Sequence, residues 1–371
     1  MVEAHKIEGI PLVPEPSRNW LNRRQLIDYR HLREELLNWM LHLGKDPEQA
    51  KGYAHETVRR RAYDLDRFYR WVWETDQTYT SHVTHDHADQ YCRELAYSDE
   101  SATYKTNIQK ALKMLFRWRQ SEFNDDLWEP ELTFSDTSSA SQPKDFLSRE
   151  ERRQIREAAL EYGSVPNYNS LSPEQRRKWK RYLAHSLRKP MSEIAADDFK
   201  RANGFKVPSL VWTALDTGLR PIEVERAKIS WVDTENAVLR IPAEEAAKNN
   251  EHWIVSLQQR TAEMLYRWLD ERELYSQYGE TDSLWLTREG NPYRSHSLKY
   301  LLNRLCEIAG IPTENRQISW YVIRHSVGTY MTREEGLAAA QIQLRHRSER
   351  TTMKYDQAPV EDRRAALERM G

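Results

Sequence analysis

Cysteine and glycine are scarce in this chain, with two and twelve among 371 residues. The cysteines, Cys92 and Cys306, lie far apart and share no metal-ligand or redox spacing, which excludes a disulfide framework and favours a reducing, cytoplasmic setting. No apolar run approaches the roughly 18 residues that a membrane span needs. The start, Met1-Val2-Glu3-Ala4-His5-Lys6, lacks the apolar stretch of a secretory signal. A net charge is missing too: 56 Lys and Arg face 57 Asp and Glu, for a formal charge of −1. That excludes a uniformly basic coat but leaves room for local basic patches. What remains is a soluble globular class, long enough for two or three cored domains.

The apolar pattern is helical rather than alternating. Leu26, Leu32, Leu36, Trp39 and Met40 mark one segment around 22–43. Val58, Ala62, Leu65, Tyr69 and Val72 mark a second over 57–75, and Tyr104, Ile108, Ala111, Leu115 and Trp118 a third over 102–120. Steps of three and four put each set on one helix face, so the first 125 or so residues read as a helical bundle. Residues 1–132 form the expected first domain, and the serine-rich stretch 133–146 reads as a flexible linker. Ser148 and Glu151 form a capping box that opens the second domain, 147–371. Within it, residues 237–242 and 252–257 read as strands of a hairpin in a mostly helical domain with a small antiparallel sheet. Residues 162–202 look inserted. Their helix start, Ser172-Pro173 with Gln175, leads into Arg176, Arg177, Lys178, Lys180 and Arg181 around a tryptophan. Such a helix can grip a phosphate backbone or be a solvated face.

Five features of the second domain suit one chemistry. Thr217-Gly218-Leu219-Arg220-Pro221-Ile222-Glu223 follows an apolar helix, and Lys248 stands in the turn of the hairpin. Tyr321-Val322-Ile323-Arg324-His325 comes later, then Leu344-Arg345-His346, and nine residues on, Tyr355. Two arginines can fork onto the oxygens of a phosphodiester and hold the charge of a pentacoordinate transition state. A lysine can protonate a leaving 5′ oxygen, and a histidine can bond the phosphate or manage a proton. A tyrosine hydroxyl can attack phosphorus where positive charge offsets its ordinary pKa of about 10.

These segments resemble the signature boxes of the tyrosine recombinase (phage integrase) family: Thr-Gly-Leu-Arg-x-x-Glu, a hairpin Lys, His-x-x-Arg-His, and Leu-Gly-His followed nine residues later by the nucleophile. The resemblance runs from about Phe146 to Gly371 and extends as pattern to the N-terminal bundle, which is similar to the family's core-binding domain. It implies a DNA breaking–rejoining fold and site-specific recombination through a covalent 3′-phosphotyrosine, without metal, ATP or other cofactor. By the same resemblance Arg220 and Arg324 clamp the phosphate, Lys248 is the general acid, His346 the second-box histidine and Tyr355 the nucleophile, with Glu223 and His325 in support. It further implies double-stranded DNA sites clamped between the two domains, a homo-tetramer on DNA, an accessory DNA-bending or excision factor, no membrane, and residence on the nucleoid. A tail helix after Pro359 would dock on a neighbouring protomer. The extra N-terminal length and the insertion favour a viral or other mobile-element integrase over a minimal resolvase.

Two positions depart from the pattern. Tyr321 stands where the first histidine belongs; a phenol can donate to phosphate but is a poor base. Arg345 replaces the glycine before His346, a steric penalty if that backbone needs a positive φ. A type IB topoisomerase uses similar groups, and a DNA-binding regulator could keep the fold without catalysis. In the first domain, Arg59, Arg60, Arg61, Arg67 and Arg70 share one helix and can supply phosphate contacts or form a solvated face. His82, His85 and His87 read as the polar start of a helix capped by Thr84 rather than as a metal cluster.

Overall fold

The computed structural model describes residues 5–135, 145–246, 251–355 and 360–370. The chain divides into two compact units, Met1–Gln142 and Pro143–Gly371.

The first unit opens with a short antiparallel ribbon that the apolar spacing did not announce, β1 (Lys6–Ile7) paired with β2 (Ile10–Pro11). Glu8 and Gly9 both take positive φ, 47° and 81°, the geometry of a tight hairpin turn. Five helices follow: α1 (Glu15–Trp20), α2 (Arg23–His42), α3 (His55–Asp76), α4 (His85–Tyr97) and α5 (Ala102–Phe123). The stripes read from the sequence face the core, with Leu26, Leu32 and Tyr104 only partly buried. Val58, Ala62, Leu65, Tyr69 and Val72 of α3 meet Ile108, Ala111, Leu115 and Trp118 of α5 in one core. Buried Arg33 of α2 donates to the carbonyls of Leu12 and Ala62 at 2.6 Å each, fastening the ribbon to the bundle.

The serine-rich stretch starts attached to this bundle. The Gln109 amide donates to the Leu132 carbonyl at 2.5 Å and accepts from the Phe134 N–H at 3.1 Å. The centre of the expected linker, 136–144, lies outside the described residues.

The second unit begins at α6 (Arg149–Tyr162), whose start is the Ser148–Glu151 capping box. The inserted segment holds α7 (Pro173–Leu187) and α8 (Ala196–Arg201). It has a small core of its own, Val165, Trp179, Leu183, Ile194 and Phe199, with Tyr275 packed against it. The central helix is α9 (Lys206–Thr217), apolar on nearly every side and buried accordingly. It packs against α6, α11 (Gln259–Arg272) and α13 (Tyr321–Leu344). Short α10 (Pro221–Arg226) leaves the end of α9 through Gly218. The φ there is +60°, and a Cβ would stand 2.8 Å from Leu344, so the position suits only glycine.

The sheet is antiparallel in the order β3 (Val232–Asp233), β4 (Val238–Ile241), β5 (Trp253–Ser256), with Leu239 opposite both Val232 and Val255. The hairpin expected at 237–257 is therefore joined by a third short strand. The remaining helices are α12 (Ser295–Ile308), α14 (Glu349–Thr352) and α15 (Val360–Met370). α13 is two helices meeting at Gly336, where φ is 84° and ψ 175°. The Gln343 amide ties its end to the sheet and to α9, donating to the carbonyls of Ser256 at 2.8 Å and Asp216 at 3.0 Å. Among the described residues no helix is long and apolar enough to cross a membrane.

Trp179 is the largest side chain in the insert's core, so Trp179→Ala is expected to cost about 3–5 kcal/mol. Hydrogen exchange should speed up across 173–187 while α9 stays protected; equal exchange in α7 of parent and variant would contradict an independent small core.

Candidate active site

The turn from α9 into α10 and the two ends of α13 converge on one cluster. Arg220 caps α10, and Glu223 reaches back to it. The carboxylate accepts from the Arg220 backbone N–H and from its guanidinium, both at 2.7 Å. Arg324, on the first turn of α13, is 2% exposed and donates to the Gly218 carbonyl at 2.6 Å and to that of Leu344. The Arg220 guanidinium also approaches the Arg345 carbonyl, at 3.4 Å. The loops before α10 and after α13 are thereby stitched together by the groups expected to clamp a phosphate.

Arg345 was visible in sequence only as a backbone penalty. The penalty is real, since the residue caps α13 with φ 57° and ψ 53°. The side chain, however, is a structural part of the cluster: it is 2% exposed and pairs with Glu223 at 2.7 Å. One carboxylate thus faces three guanidiniums. Burial alone would raise the Glu223 carboxyl; Arg345, then Arg220 and Arg324, instead hold it down at about 2. Burial, followed by repulsion from Arg345 and Arg220, lowers Arg324 to about 9.

His346 follows from the same charges. Its Nε2 lies 2.9 Å from Arg324 Nη2, and a guanidinium can only donate, so Nε2 accepts. The ring proton must sit on Nδ1, which donates to Thr352 Oγ1 at 2.9 Å. Burial first, then Arg324, Arg220 and Arg345, push the imidazole down to about 3. His346 is therefore neutral with both nitrogens engaged, rather than poised near neutral pH as its residue type suggested.

Tyr355 lies over this imidazole, ring on ring at 5.6 Å and 9°. Its other neighbour is His325, at 5.4 Å between centroids. It is 9% exposed and packs with Val327 and Leu344. Gly328 makes the space: a Cβ there would stand 2.6 Å from the Tyr355 ring. Thr352 and Gly328 carried no signal in sequence, because their roles depend on which helix face meets residue 355.

Other expected residues are placed less centrally. Tyr321 is 44% exposed and touches the cluster only through His325, at 6.3 Å between rings. Position 321 thus sits at the rim and makes no hydrogen bond to the arginines. Lys248 lies outside the described residues. On α7, Arg176 donates to the carbonyls of Tyr168 and Leu171 and stacks on the Tyr168 ring at 4.4 Å; Lys180 faces that ring too. Arg177, Lys178 and Arg181 are the exposed members of the five, and of these Lys178 is the one paired with Glu174.

On α3 the division is similar. Arg61 lies over the Tyr53 ring at 4.4 Å and reaches Met114, Arg67 bonds Tyr104, and Arg70 pairs with Asp66. Arg59 is forked onto Glu56, and Arg60 is exposed. The five do not form one free cationic face. The three N-terminal histidines go separate ways: His82 to Arg119, His85 to the Asp126 carbonyl, His87 to Thr84 and Asp76. The tail helix α15 meets its own chain through Asp362, paired with Arg333 at 3.2 Å.

The charge balance sets an acid limit. His346 is held neutral in the fold, while an unfolded chain protonates it below about 6.5, so its contribution shrinks as pH falls from 6.5 towards 3. Glu223 is held ionised, so its contribution is complete above 4.5 and lost as pH falls through about 2. Imidazole NMR should find His346 in the neutral Nδ1–H form at pH 5. A titration near 6.5 would contradict the hydrogen-bond assignment.

Residues 181–361 match the phage integrase family. No curated protein sequence matches the chain. Among solved structures, the XerH site-specific recombinase bound to its difH substrate, in a pre-cleavage complex, aligns with a TM-score of 0.54 at 18% identity, covering 94% of this chain and 91% of that one. Its post-cleavage complex with a palindromic difH substrate gives 0.55 at 17%, covering 94% and 88%. The Tn1549 transposon integrase in complex with a circular intermediate DNA gives 0.51 at 14%, covering 90% and 99%. Identities this low speak for the fold alone, and the fold is that of the tyrosine recombinases. Residues 181–361, the part of the chain that matches the phage integrase family, hold every residue of the cluster.

Proposed function

We propose that this chain is a site-specific DNA recombinase of the integrase type that cuts and rejoins DNA through Tyr355. The observation that carries the reading is the cluster in which Arg220 and Arg345 share one carboxylate beside Arg324, with the Tyr355 ring stacked on the imidazole that Arg324 holds. Such a cluster has a surplus of positive charge that a phosphodiester can meet. Tyr355 Oη gives up its proton to solvent and bonds to phosphorus as the bond to the 5′ oxygen breaks. The leaving oxygen takes a proton from Lys248, and the strand stays attached as a 3′-phosphotyrosine. Attack by another strand's 5′ hydroxyl reverses these steps, so bond energy is kept and neither ATP nor a metal is called for. Arg220 and Arg324 hold the non-bridging oxygens, and Glu223 keeps Arg220 in place.

Exchange between two duplexes breaks four strands, one per tyrosine, which makes a homo-tetramer on two DNA sites part of the proposal, together with a mobile-element role and an accessory DNA-bending factor. Arg60 on α3 and Arg177 and Arg181 on α7 are the exposed cations offered to DNA phosphates.

A duplex nicked near the cleavage site traps the covalent product. Parent protein should give an adduct that Tyr355→Phe abolishes. Arg220→Ala should bind DNA as the parent does while cleavage falls about 10²–10³-fold. Tight binding with no adduct from the parent would favour a regulator, and relaxation of plasmids lacking any site a topoisomerase.

Removing Arg177 and Arg181 together tests the α7 contact. If both meet phosphates, the slope of log K against log salt should flatten by about 1.8, at roughly 0.9 per phosphate. An unchanged slope would make α7 a solvated face.

A further inference from the structure

Arg345 has no duty in the proposed chemistry, yet few side chains in the unit are more fully engaged. Its guanidinium takes both oxygens of Glu223, Nε at 3.2 Å and Nη2 at 2.7 Å. Nη1 donates to the carbonyls of Thr217 at 2.9 Å and Gln343 at 2.8 Å, and Nη2 reaches that of Gly218 at 3.3 Å. Each partner belongs to a segment that presents a clamp group. Glu223 also holds Arg220, and the Gly218 carbonyl also holds Arg324. The backbone adopts a left-handed conformation that glycine takes freely and arginine only at a cost. An arginine kept there has to offset that cost through its side chain.

We propose that Arg345 is a positioning residue for strand cleavage. It locks Glu223, and through it Arg220, against the end of α13 that carries His346, and adds a third buried cation behind the phosphate site. Three guanidiniums and one carboxylate leave 3 − 1 = +2 in the cluster. A phosphodiester brings −1, and a pentacoordinate intermediate with two ionised oxygens brings −2, so the surplus matches the intermediate better than the ground state. Being walled off by Glu223 and three carbonyls, Arg345 acts through these neighbours rather than on the phosphate itself.

The inference rests on the strand-cleavage reading, and its test separates the two. Arg345→Gly keeps the left-handed backbone and removes the guanidinium; Arg345→Lys keeps a charge without the fork. Single-turnover adduct formation on the nicked duplex, DNA affinity and thermal unfolding are measured for each. Arg345→Gly should bind DNA within threefold of the parent and cleave 10- to 100-fold more slowly, with Arg345→Lys in between. Combined with Glu223→Gln, it should lose little beyond the worse single variant, since both act through one contact.

A backbone role alone predicts the opposite: glycine relieves the strain and cleavage stays at the parent's rate, which overturns the proposal. Should Arg345→Gly fail to fold, Arg345→Lys decides, a parental rate overturning the proposal and a loss of fivefold or more supporting it. Should the parent itself form no adduct, the cleavage reading fails instead. NMR titration of His346, which faces Arg324, Arg220, Arg345, Glu223, Thr352 and Tyr355, then judges Arg345. A rise of at least half a pH unit in the glycine variant supports its charge acting on the site, and no change overturns it.

Discussion

The site is arranged around the Glu223 carboxylate, which pairs with the guanidiniums of Arg220 and Arg345 and feels the charge of a third, Arg324. Taking charges out of water is expensive, and pairing seldom recovers the whole cost. Here pairing is incomplete: Arg324 turns to carbonyls and an imidazole for want of a second carboxylate. A cluster of this kind holds together because the surrounding core is rigid. α9 is gripped by α6, α11 and α13, and the Gln343 amide bolts the end of α13 to β5 and α9. The core supplies the stability that the charges take away, and the uncompensated positive charge is what a phosphate would encounter in the proposed reaction.

The same excess decides which groups can move protons. With Arg324 donating to its Nε2, His346 cannot protonate without losing that bond and facing three cations. It is left as a neutral spacer that aligns Arg324 on one side and, through Thr352, the short helix α14 that leads to Tyr355 on the other. A proton for a leaving oxygen has to come from a group outside this knot. In the proposed reaction Lys248 would fit that requirement chemically, since an ammonium carries a proton to give at neutral pH.

Sequence patterns foretold local structure well and long-range use poorly. The stripes on α3 and α5 are set by spacing within one helix, and the caps at Ser148 and Ser172 by residues three apart, so both were readable. The order of Arg220, Arg324, His346 and Tyr355 marked the site because each lies in a short recognisable string. Arg61 and Arg70 could not be sorted from Arg60 by any such rule. Their fates were fixed by Tyr53 and Met114 in one case and Asp66 in the other. Arg345 shows the limit most clearly. Its backbone state could be anticipated from the helix ending there, but its ionic partner lies 122 residues away.

Tyr355 combines both kinds of constraint. Its ring sits in its own unit, between the imidazoles of His346 and His325 and over the bare backbone of Gly328. Two flat rings and a missing Cβ leave one slot of the right thickness, and that slot opens beside Arg324, whose ionisation the phenol is near enough to influence. In the proposed reaction, a phosphate drawn to the arginines would find this phenol beside Arg324. Stacking orients the phenol through its ring faces and so does not depend on a hydrogen bond to its oxygen. The oxygen that would attack phosphorus in the proposed reaction is thereby left free for that step, while ring packing holds the aim.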